Sequence, residues 1–425
     1  MTKLFHFGVC LLFNTFLCIP LFAGGFQIQE QGARALALAG TFTARPGVIE
    51  SAFYNPAGLA SLRHSQFQLG GDIMVPSVRF SGINPYPGYG ISATQVRRIL
   101  SPASLFAARP FHSRLVIAFA LTTPFAERRE WRDPFQFSGR YIAMKSELWH
   151  LRATLAVGYA ISRRLALGFG IFTGLTYLEQ DLIYPVLLGG RVFDAAHVNL
   201  SGTSRPAAGW QAGLQYRAGD AVTLGVAFSS GLTVKFQQQP VRWKPIRSGE
   251  TKLDDALQLR LPAQQRFDSE LMLPATLAFG VSIRPLDRAT VGIDWVLTRW
   301  QAFRGQDFIM DDTTFSLSRP AEWRNTGSWR IGIEFAVAPT LPIRLGYAFD
   351  PTPQPEETVS PLWVDGSRHL VSTGLGIQIA DFTLDAAIQL GFYESRRVLK
   401  SNYYQFYGEY ALFLFRSGLS VTYRF

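Results

Sequence analysis

Enzymes and metal sites need particular side chains at particular spacings, and this chain offers few of them. Its 6 histidines, His6, His64, His112, His150, His197 and His369, form no i,i+4 pair and stand beside no cysteine, so no spacing suits a metal ion. Ser372 follows His369 at an odd separation, which sends the two side chains to opposite faces of a strand. Gly168-Phe169-Gly170 has no helix after it and does not read as a phosphate loop. The chain therefore reads as no enzyme: no catalytic residue, metal ligand or cofactor is expected. What remains is charge and one rigid turn. Arg152, Asp294, Arg330, Glu334, Arg344, Asp385 and Arg424 fall in one register of their strands, and Glu30, Arg34, Arg45 and Glu50 lie ahead of all strands. Facing one another out of water, such charges should pair, because an unpartnered buried charge is costly. A ligand role is the alternative, with Arg152 the first candidate for either. Asn55-Pro56-Ala57-Gly58 is turn chemistry between apolar flanks. Pro56 has no N–H to donate and pushes Asn55 out of the helical region.

The elements that must position these residues come in three blocks. Met1–Ala23 reads as an export signal: Lys3 gives the positive start, Val9–Ile19 is mostly apolar, and Leu21-Phe22-Ala23 ends on a small residue. A membrane anchor is the alternative, although the apolar run is short. Both cysteines, Cys10 and Cys18, lie in this block, so the mature chain is expected to have neither disulfide nor thiol chemistry. Gly24–Leu62 is a compact segment of mixed polarity, with Gln31–Gly40 short enough for one or two helical turns stopped by Gly40. Residues 63–425 are short alternating segments. Phe382, Leu384, Ile388 and Phe392 alternate with Thr383, Asp385, Gln389 and Tyr393, which is the period of a strand.

About fourteen strands follow from this period, an even number. The third is Leu115–Phe125 and the fifth Leu165–Ile183. The connections alternate strictly. Short ones fall at 110–112, 162–164, 218–221, 285–288, 338–340 and near Asp381; long ones fall at 81–100, 126–146, 183–206, 238–269, 304–325, 352–366 and 395–408. A soluble sandwich has no reason to sort its loops this way, whereas an outer-membrane barrel has short periplasmic turns and long outer loops. The fold expected is all-β: a transmembrane antiparallel barrel with an N-terminal plug in its lumen. Composition agrees, with 48% hydrophobic, 14% aromatic and only 17% charged residues. Glycines crowd the inward register at Gly168, Gly170, Gly292, Gly332, Gly346, Gly374 and Gly376, leaving room for a plug or allowing curvature. The formal charge of +10 would suggest nucleic acid, but the basic residues cluster in loops rather than one stripe. Arg128, Arg129 and Arg132, then Arg242, Lys244 and Arg247, then Arg396, Arg397 and Lys400 are solvated or lie beside anionic lipid headgroups.

The G-F-Q start after the signal, S-A-F-Y-N-P-A-G-L-A at Ser51–Ala60, Thr123-Pro124-Phe125, L-G-Y-A-F-D-P-T-P at Leu345–Pro353 and the final Phe425 carry a resemblance. The chain resembles the FadL-type family of long-chain fatty acid and toluene transport proteins of the Gram-negative outer membrane. The resemblance implies passive transport of hydrophobic compounds, fatty acids or hydrocarbons, with sideways exit into the bilayer through a wall gap at the third strand. It implies a pocket that takes the apolar N-terminal tail, here Phe26, and a hatch motif beside the gap, here Asn55, Pro56 and Ala57. Thr122 and Pro124 then belong to the lateral gate, since Pro124 removes a ladder donor. An ordinary strand end is the other reading of Pro124. The outer groove would draw on Tyr184, Pro185, Val186, Leu187, Leu188, Val192 and Phe193. Partners implied are hydrophobic small molecules, outer-membrane lipid and lipopolysaccharide, and the barrel-assembly machinery, which reads the terminal aromatic; nucleic acid is not among them, and a monomer is expected. Fatty acid members carry a basic residue in the fifth strand, and Leu165–Ile183 has no Lys or Arg. That departure leaves a neutral aromatic or alkane cargo as the alternative. A surface adhesin or phage receptor is a second alternative that long loops would also suit.

Overall fold

The computed structural model describes residues 24–262, 264–399 and 402–425, so the expected export signal lies outside the described residues. A closed barrel of 14 antiparallel strands forms the wall. The first half comprises β1 (Gln66–Gly82), β2 (Ala103–His112), β3 (Leu115–Glu130), β4 (Lys145–Ala160), β5 (Leu165–Leu188), β6 (Ala207–Arg217) and β7 (Val222–Ser229). The second comprises β8 (Thr276–Leu286), β9 (Ala289–Thr298), β10 (Thr326–Ala338), β11 (Leu341–Asp350), β12 (Arg368–Ile379), β13 (Phe382–Tyr393) and β14 (Gly408–Arg424). β14 returns to β1, with Gln66 opposite Arg424 and Gly82 opposite Gly408. Closure matters because an open sheet edge has no partner for its N–H and C=O groups in lipid.

The alternation read from the sequence has the polarity of a membrane wall. On β13 the large side chains Phe382, Leu384, Ile388 and Phe392 are exposed, while Asp385, Ala387 and Gln389 are buried in the lumen. A soluble protein would do the reverse; here the outer face meets hydrocarbon. The tight turns follow β2, β4, β6, β8, β10 and β12, as the sorting of the connections implied.

The long connections are more regular than the sequence suggested. Arg191–Thr203, Leu232–Pro245, Gln265–Leu273, Gly305–Met310 and Leu317–Pro320 are strands that extend the sheet above the wall. Their outward side chains are mostly polar, with Val192, Met272 and Ile309 the exposed large apolar ones among them, and Lys235 pairs with Glu270 at 2.9 Å. The apolar band facing lipid therefore ends below them. The basic clusters are partly neutralised at source: Arg128 pairs with Glu147, Arg129 with Glu127 and Arg397 with Glu409.

β3 differs from its expected form. It does not end at Phe125 but runs to Glu130, with Pro124 inside it. Thr122 lies opposite Arg152 and Phe125 opposite His150, so Thr123 and Pro124 together oppose Leu151 alone. On the other side, β2 pairs with β3 only as far as Leu105 and Leu121. A residue with no N–H inside a bulge turns the strand out of the ladder, which leaves a gap in the wall above that point.

Residues 24–62 fill the lumen. Ala33–Ala37 is a short helix, and Gly40, at φ 76°, closes its end by donating to the Ala35 carbonyl at 2.9 Å. The inward glycines mark where this segment meets the wall. A Cβ on Gly168 would collide with the Ala57 backbone, one on Gly213 with the Asn55 side chain, and one on Gly346 would come 2.6 Å from Ala39 N. Gly170 and Gly376 instead make room for wall side chains, Gln211 and Arg344. Close approach, rather than curvature alone, accounts for most of the glycine register.

Candidate functional site

One side of the lumen is a network of paired charges. Arg330 on β10 binds Glu30 at 2.6 Å and Asp350 at 2.8 Å; Arg416 on β14 binds Glu30 at 2.9 Å and also Asp72. Glu334 collects Arg34 at 2.9 Å, Arg45 at 3.0 Å and Arg344 at 2.6 Å, and Arg344 reaches Asp385. Asp294 accepts the Thr43 N–H at 2.9 Å. Of the inward charges named from the sequence, Asp294, Arg330 and Glu334 bind plug groups, while Arg344 and Asp385 pair within the wall. Burial alone would push the Glu30 carboxyl up, but Arg330 and Arg416 hold it below the usual carboxylate range. Arg424 and Arg152 stand outside this network.

The gap beside β3 is covered by the start of the plug. Ile28 N–H donates to the Pro124 carbonyl at 2.8 Å, and Ala126 N–H donates to the Phe26 carbonyl at 3.2 Å. Gln31 completes the cover: its Oε1 accepts the Thr123 N–H at 3.1 Å and its Nε2 donates to the Thr123 carbonyl at 3.2 Å. Each backbone group freed by the bulge thus finds a partner, as it must at the depth of the membrane. Thr122 is fully buried here, and its hydroxyl has no partner among the described residues. Phe26 packs edge-on against Trp300, Phe303 and Phe125, with ring centroids 5.0, 5.5 and 5.9 Å away, and against Trp323 at 5.6 Å.

Asn55, Pro56 and Ala57 are elsewhere. Asn55 Nδ2 donates to the Thr43 carbonyl at 2.6 Å and to the wall carbonyls of Leu214 on β6 and Val226 on β7, at 3.2 and 3.3 Å. Its Oδ1 caps the following turn by accepting the Ala57 N–H at 3.1 Å. Pro56 and Ala57 rest on Gly158, Gly168 and Gly213 of β4, β5 and β6. The expected position against the Thr122–Pro124 bulge is therefore corrected. The motif needs a wall without side chains, and β4–β6 provide glycine where β3 presents Val116, Ala118 and Ala120 to Leu59 and Leu62. Gln31 and Ile28, which do cover the gap, carried no signal in the sequence beyond an alternating G-F-Q-I-Q-E-Q.

Between these two regions lies a cavity of about 60 Å³, lined by Phe53, Phe125, His150, Arg152, Phe172 and Gln211, with Leu232 and Leu273 toward the outside. A second, of about 70 Å³, lies beyond the tail and is lined by Phe26, Met74, Leu100, Ala126, Trp323 and Asp365. Phe26 and Gln27 separate the two. At roughly 10–15 Å³ per water, each holds a few waters and no long chain until something moves. Arg152 is the notable group. Its Nε donates to Thr154 Oγ1 at 3.2 Å, Nη1 to Ser229 Oγ at 3.3 Å and Nη2 to Gln211 Oε1 at 2.6 Å. Its guanidinium lies 3.5 Å from the Phe172 ring centroid. Gln211 in turn donates to the Ala52 carbonyl of the plug at 2.7 Å. No carboxylate pairs with Arg152 among the described residues. Its neighbour His150 holds Thr176 Oγ1 at 2.8 Å through Nδ1, and Nε2 is left without a partner among them.

The barrel fold has counterparts in known proteins. The chain is 20% identical over 419 residues to the 47 kDa outer membrane protein of Pasteurella multocida, covering 95% of this chain and 94% of that one. It is 20% identical over 416 residues to outer membrane protein P1 of Haemophilus influenzae, covering 87% and 85%. In fold it is similar to a Pseudomonas aeruginosa FadL homologue, with a TM-score of 0.82 at 19% identity over 94% of this chain and 99% of that one. It is also similar to the Pseudomonas putida toluene transporter TodX, with a TM-score of 0.71 at 16% identity over 93% and 99%. Residues 15–425 match the family described as outer membrane protein transport protein (OMPP1/FadL/TodX), and the chain belongs to that family of outer-membrane transporters of hydrophobic compounds.

Proposed function

We propose that this barrel passes hydrophobic molecules across the outer membrane without an energy source, and that its preferred cargo is an apolar chain with an anionic head. An apolar solute gains nothing from a water-filled pore, so its path must be an apolar binding route. The observation that supports an anionic head is Arg152, a buried guanidinium with no carboxylate partner among the described residues, at the wall of a cavity lined by both aromatic and polar side chains. A cation held out of water without a counter-ion is costly, and a ligand carboxylate would complete it with charge-assisted hydrogen bonds. The base that β5 lacks is supplied by the adjacent strand: Arg152 lies directly opposite Gly174 of β5. Exit is sideways, through the gap between β2 and β3 once Phe26, Ile28 and Gln31 leave it.

The neutral-cargo reading rests on the ring cluster of Phe26, Phe125, Trp300, Phe303 and Trp323. Quenching of the tryptophan fluorescence by a fatty acid, its methyl ester and the matching alkane separates the two. The acid should bind at least about tenfold tighter, or 1.4 kcal/mol, and Arg152→Met should erase the difference. Equal affinity for all three in the wild type would favour a hydrocarbon channel, and absence of uptake into liposomes for every one would favour a surface receptor.

A further inference from the structure

The fold holds a place for a charge that exists only after the export signal is removed. We propose that the α-ammonium of Gly24, freed by cleavage after Ala23, is the counter-ion of Asp365, and that this pair latches the tail bearing Phe26 inside the lumen. In the cleavage a signal endopeptidase adds water across the Ala23–Gly24 peptide bond. Ala23 leaves as a carboxylate, and the Gly24 nitrogen becomes an ammonium.

Asp365 lies in the connection between β11 and β12 and is 6% exposed. Its Oδ2 accepts the Gly25 N–H at 2.9 Å and the Thr352 hydroxyl at 2.7 Å, and its own N–H donates to Gln354 Oε1 at 2.9 Å. The carboxylate is thus fixed in place and aimed at the start of the tail. Gly24 is buried against it: a Cβ built there would come 2.7 Å from Asp365 Oδ2 and 3.1 Å from the Pro351 carbonyl. The α-nitrogen is bonded to the same Cα, so an ammonium has two acceptors within reach, and a larger first residue has no room. Gly25, at φ 78°, makes the turn that follows. Among the described residues no Lys or Arg forms an ion pair with Asp365; nearby Arg368 pairs with Asp350 at 3.2 Å. Burial pushes the Asp365 carboxyl up, opposed in part by the nearby Arg368 and Arg396, neither of which forms an ion pair with it among the described residues.

The tail itself is weakly tied. Beyond Gly25 it makes two backbone hydrogen bonds to β3, through Phe26 and Ile28. It is also what divides the two cavities. An anchor at its tip therefore decides how readily Phe26 withdraws and merges them. That consequence rests on the transport reading; the ion pair does not.

The test is acylation of the α-amine in the purified barrel, followed by mass spectrometry of the N-terminal peptide. The peptide should begin at Gly24, and its amine should react at least tenfold more slowly in the native barrel than in the unfolded chain. Asp365→Asn should restore most of that rate while the barrel still migrates as a heat-resistant species. If that variant does not fold, a chain with serine inserted between Ala23 and Gly24 serves instead, since it moves the ammonium away from Asp365 and should lose the protection. A native amine as reactive as the unfolded one, another first residue, or protection unchanged by either variant overturns the latch. Liposome uptake, measured separately, should rise at least threefold in Asp365→Asn. An unchanged rate with protection lost would remove the tail from the transport path and leave the ion pair standing.

Discussion

The two sides of the lumen are built on opposite principles. Toward β10–β14 the plug is held by arginines that each have carboxylate partners, with Glu30 bridging Arg330 and Arg416. Toward β3–β8 the contacts are aromatic rings, glycine-backed backbone and Arg152, whose hydrogen-bond partners are neutral. Charges that are satisfied internally have nothing left to offer a ligand, and breaking them is expensive. The other side keeps its cavities, its movable tail and Arg152, a cation with no carboxylate partner among the described residues. The difference teaches that the plug is fixed along one flank and adjustable along the other. This is how a wall gap can open without the plug leaving the barrel.

The comparison predicts its own breaking points. The largest effect should follow Glu30→Gln. Removing one partner of a buried pair leaves uncompensated charge and costs about 3–5 kcal/mol, and Glu30 serves two arginines. Heat-induced migration on a gel should shift to lower temperature, and ion leakage through the barrel in planar bilayers should rise. The pH dependence carries the same sign. Because the folded Glu30 titrates below its ordinary 4.5, its contribution is present above that value and is lost as pH falls through the lower, folded one. Wild-type stability should therefore decline more steeply than that of Glu30→Gln as the pH falls below 4.5. Equal acid profiles would mean that the charged flank does not hold the plug.

How much of this was legible in the sequence depends on whether a feature is local. Strand period, loop sorting and the inward glycines are properties of neighbouring residues, so β13 and the turns at 338–341 and 379–382 follow from the chain itself. The rigid turn at Asn55-Pro56 was equally readable. Its place was not, because a closed barrel offers fourteen faces to the same turn and only the glycines of β4–β6 select among them. The bulge at Thr123-Pro124 was visible as a proline, but its cover by Gln31 depends on a contact 92 residues away in sequence. Arg152 was visible as an inward charge, yet what sets it apart is a partner it lacks, and an absence of that kind exists only in three dimensions.

A middle-sized effect should come from the glycine contacts. Gly168→Val places two methyl groups where the Ala57 backbone now lies, and backbone cannot rotate away as a side chain can. Overpacking of this kind costs about 1–3 kcal/mol or more. The barrel should still assemble, since Gly168 keeps its ladder partners Gly158 and Gly213. The plug, however, should become accessible to added protease while the wall stays intact. A plug that remains protected would show that the close approach is tolerated and that those glycines serve curvature after all.

The smallest effect on stability should be that of Arg152→Met, and its smallness is the point. Truncating an arginine of the charged flank strands a carboxylate, whereas Arg152 strands only hydroxyls and an amide: Thr154, Ser229 and Gln211. Losing three hydrogen bonds to neutral groups costs about 1 kcal/mol each, since a typical one contributes roughly 0.5–1.5. Against this, the substitution removes the desolvation penalty of a lone buried cation, which is several kcal/mol, and a methionine of similar volume keeps the contact with Phe172. The two terms nearly cancel, so the melting behaviour of Arg152→Met should match wild type or exceed it. Arg330→Met, its counterpart on the charged flank, should be clearly destabilised. Comparable losses in the two variants would mean that Arg152 serves structure, and the case for an anionic cargo would fall with it.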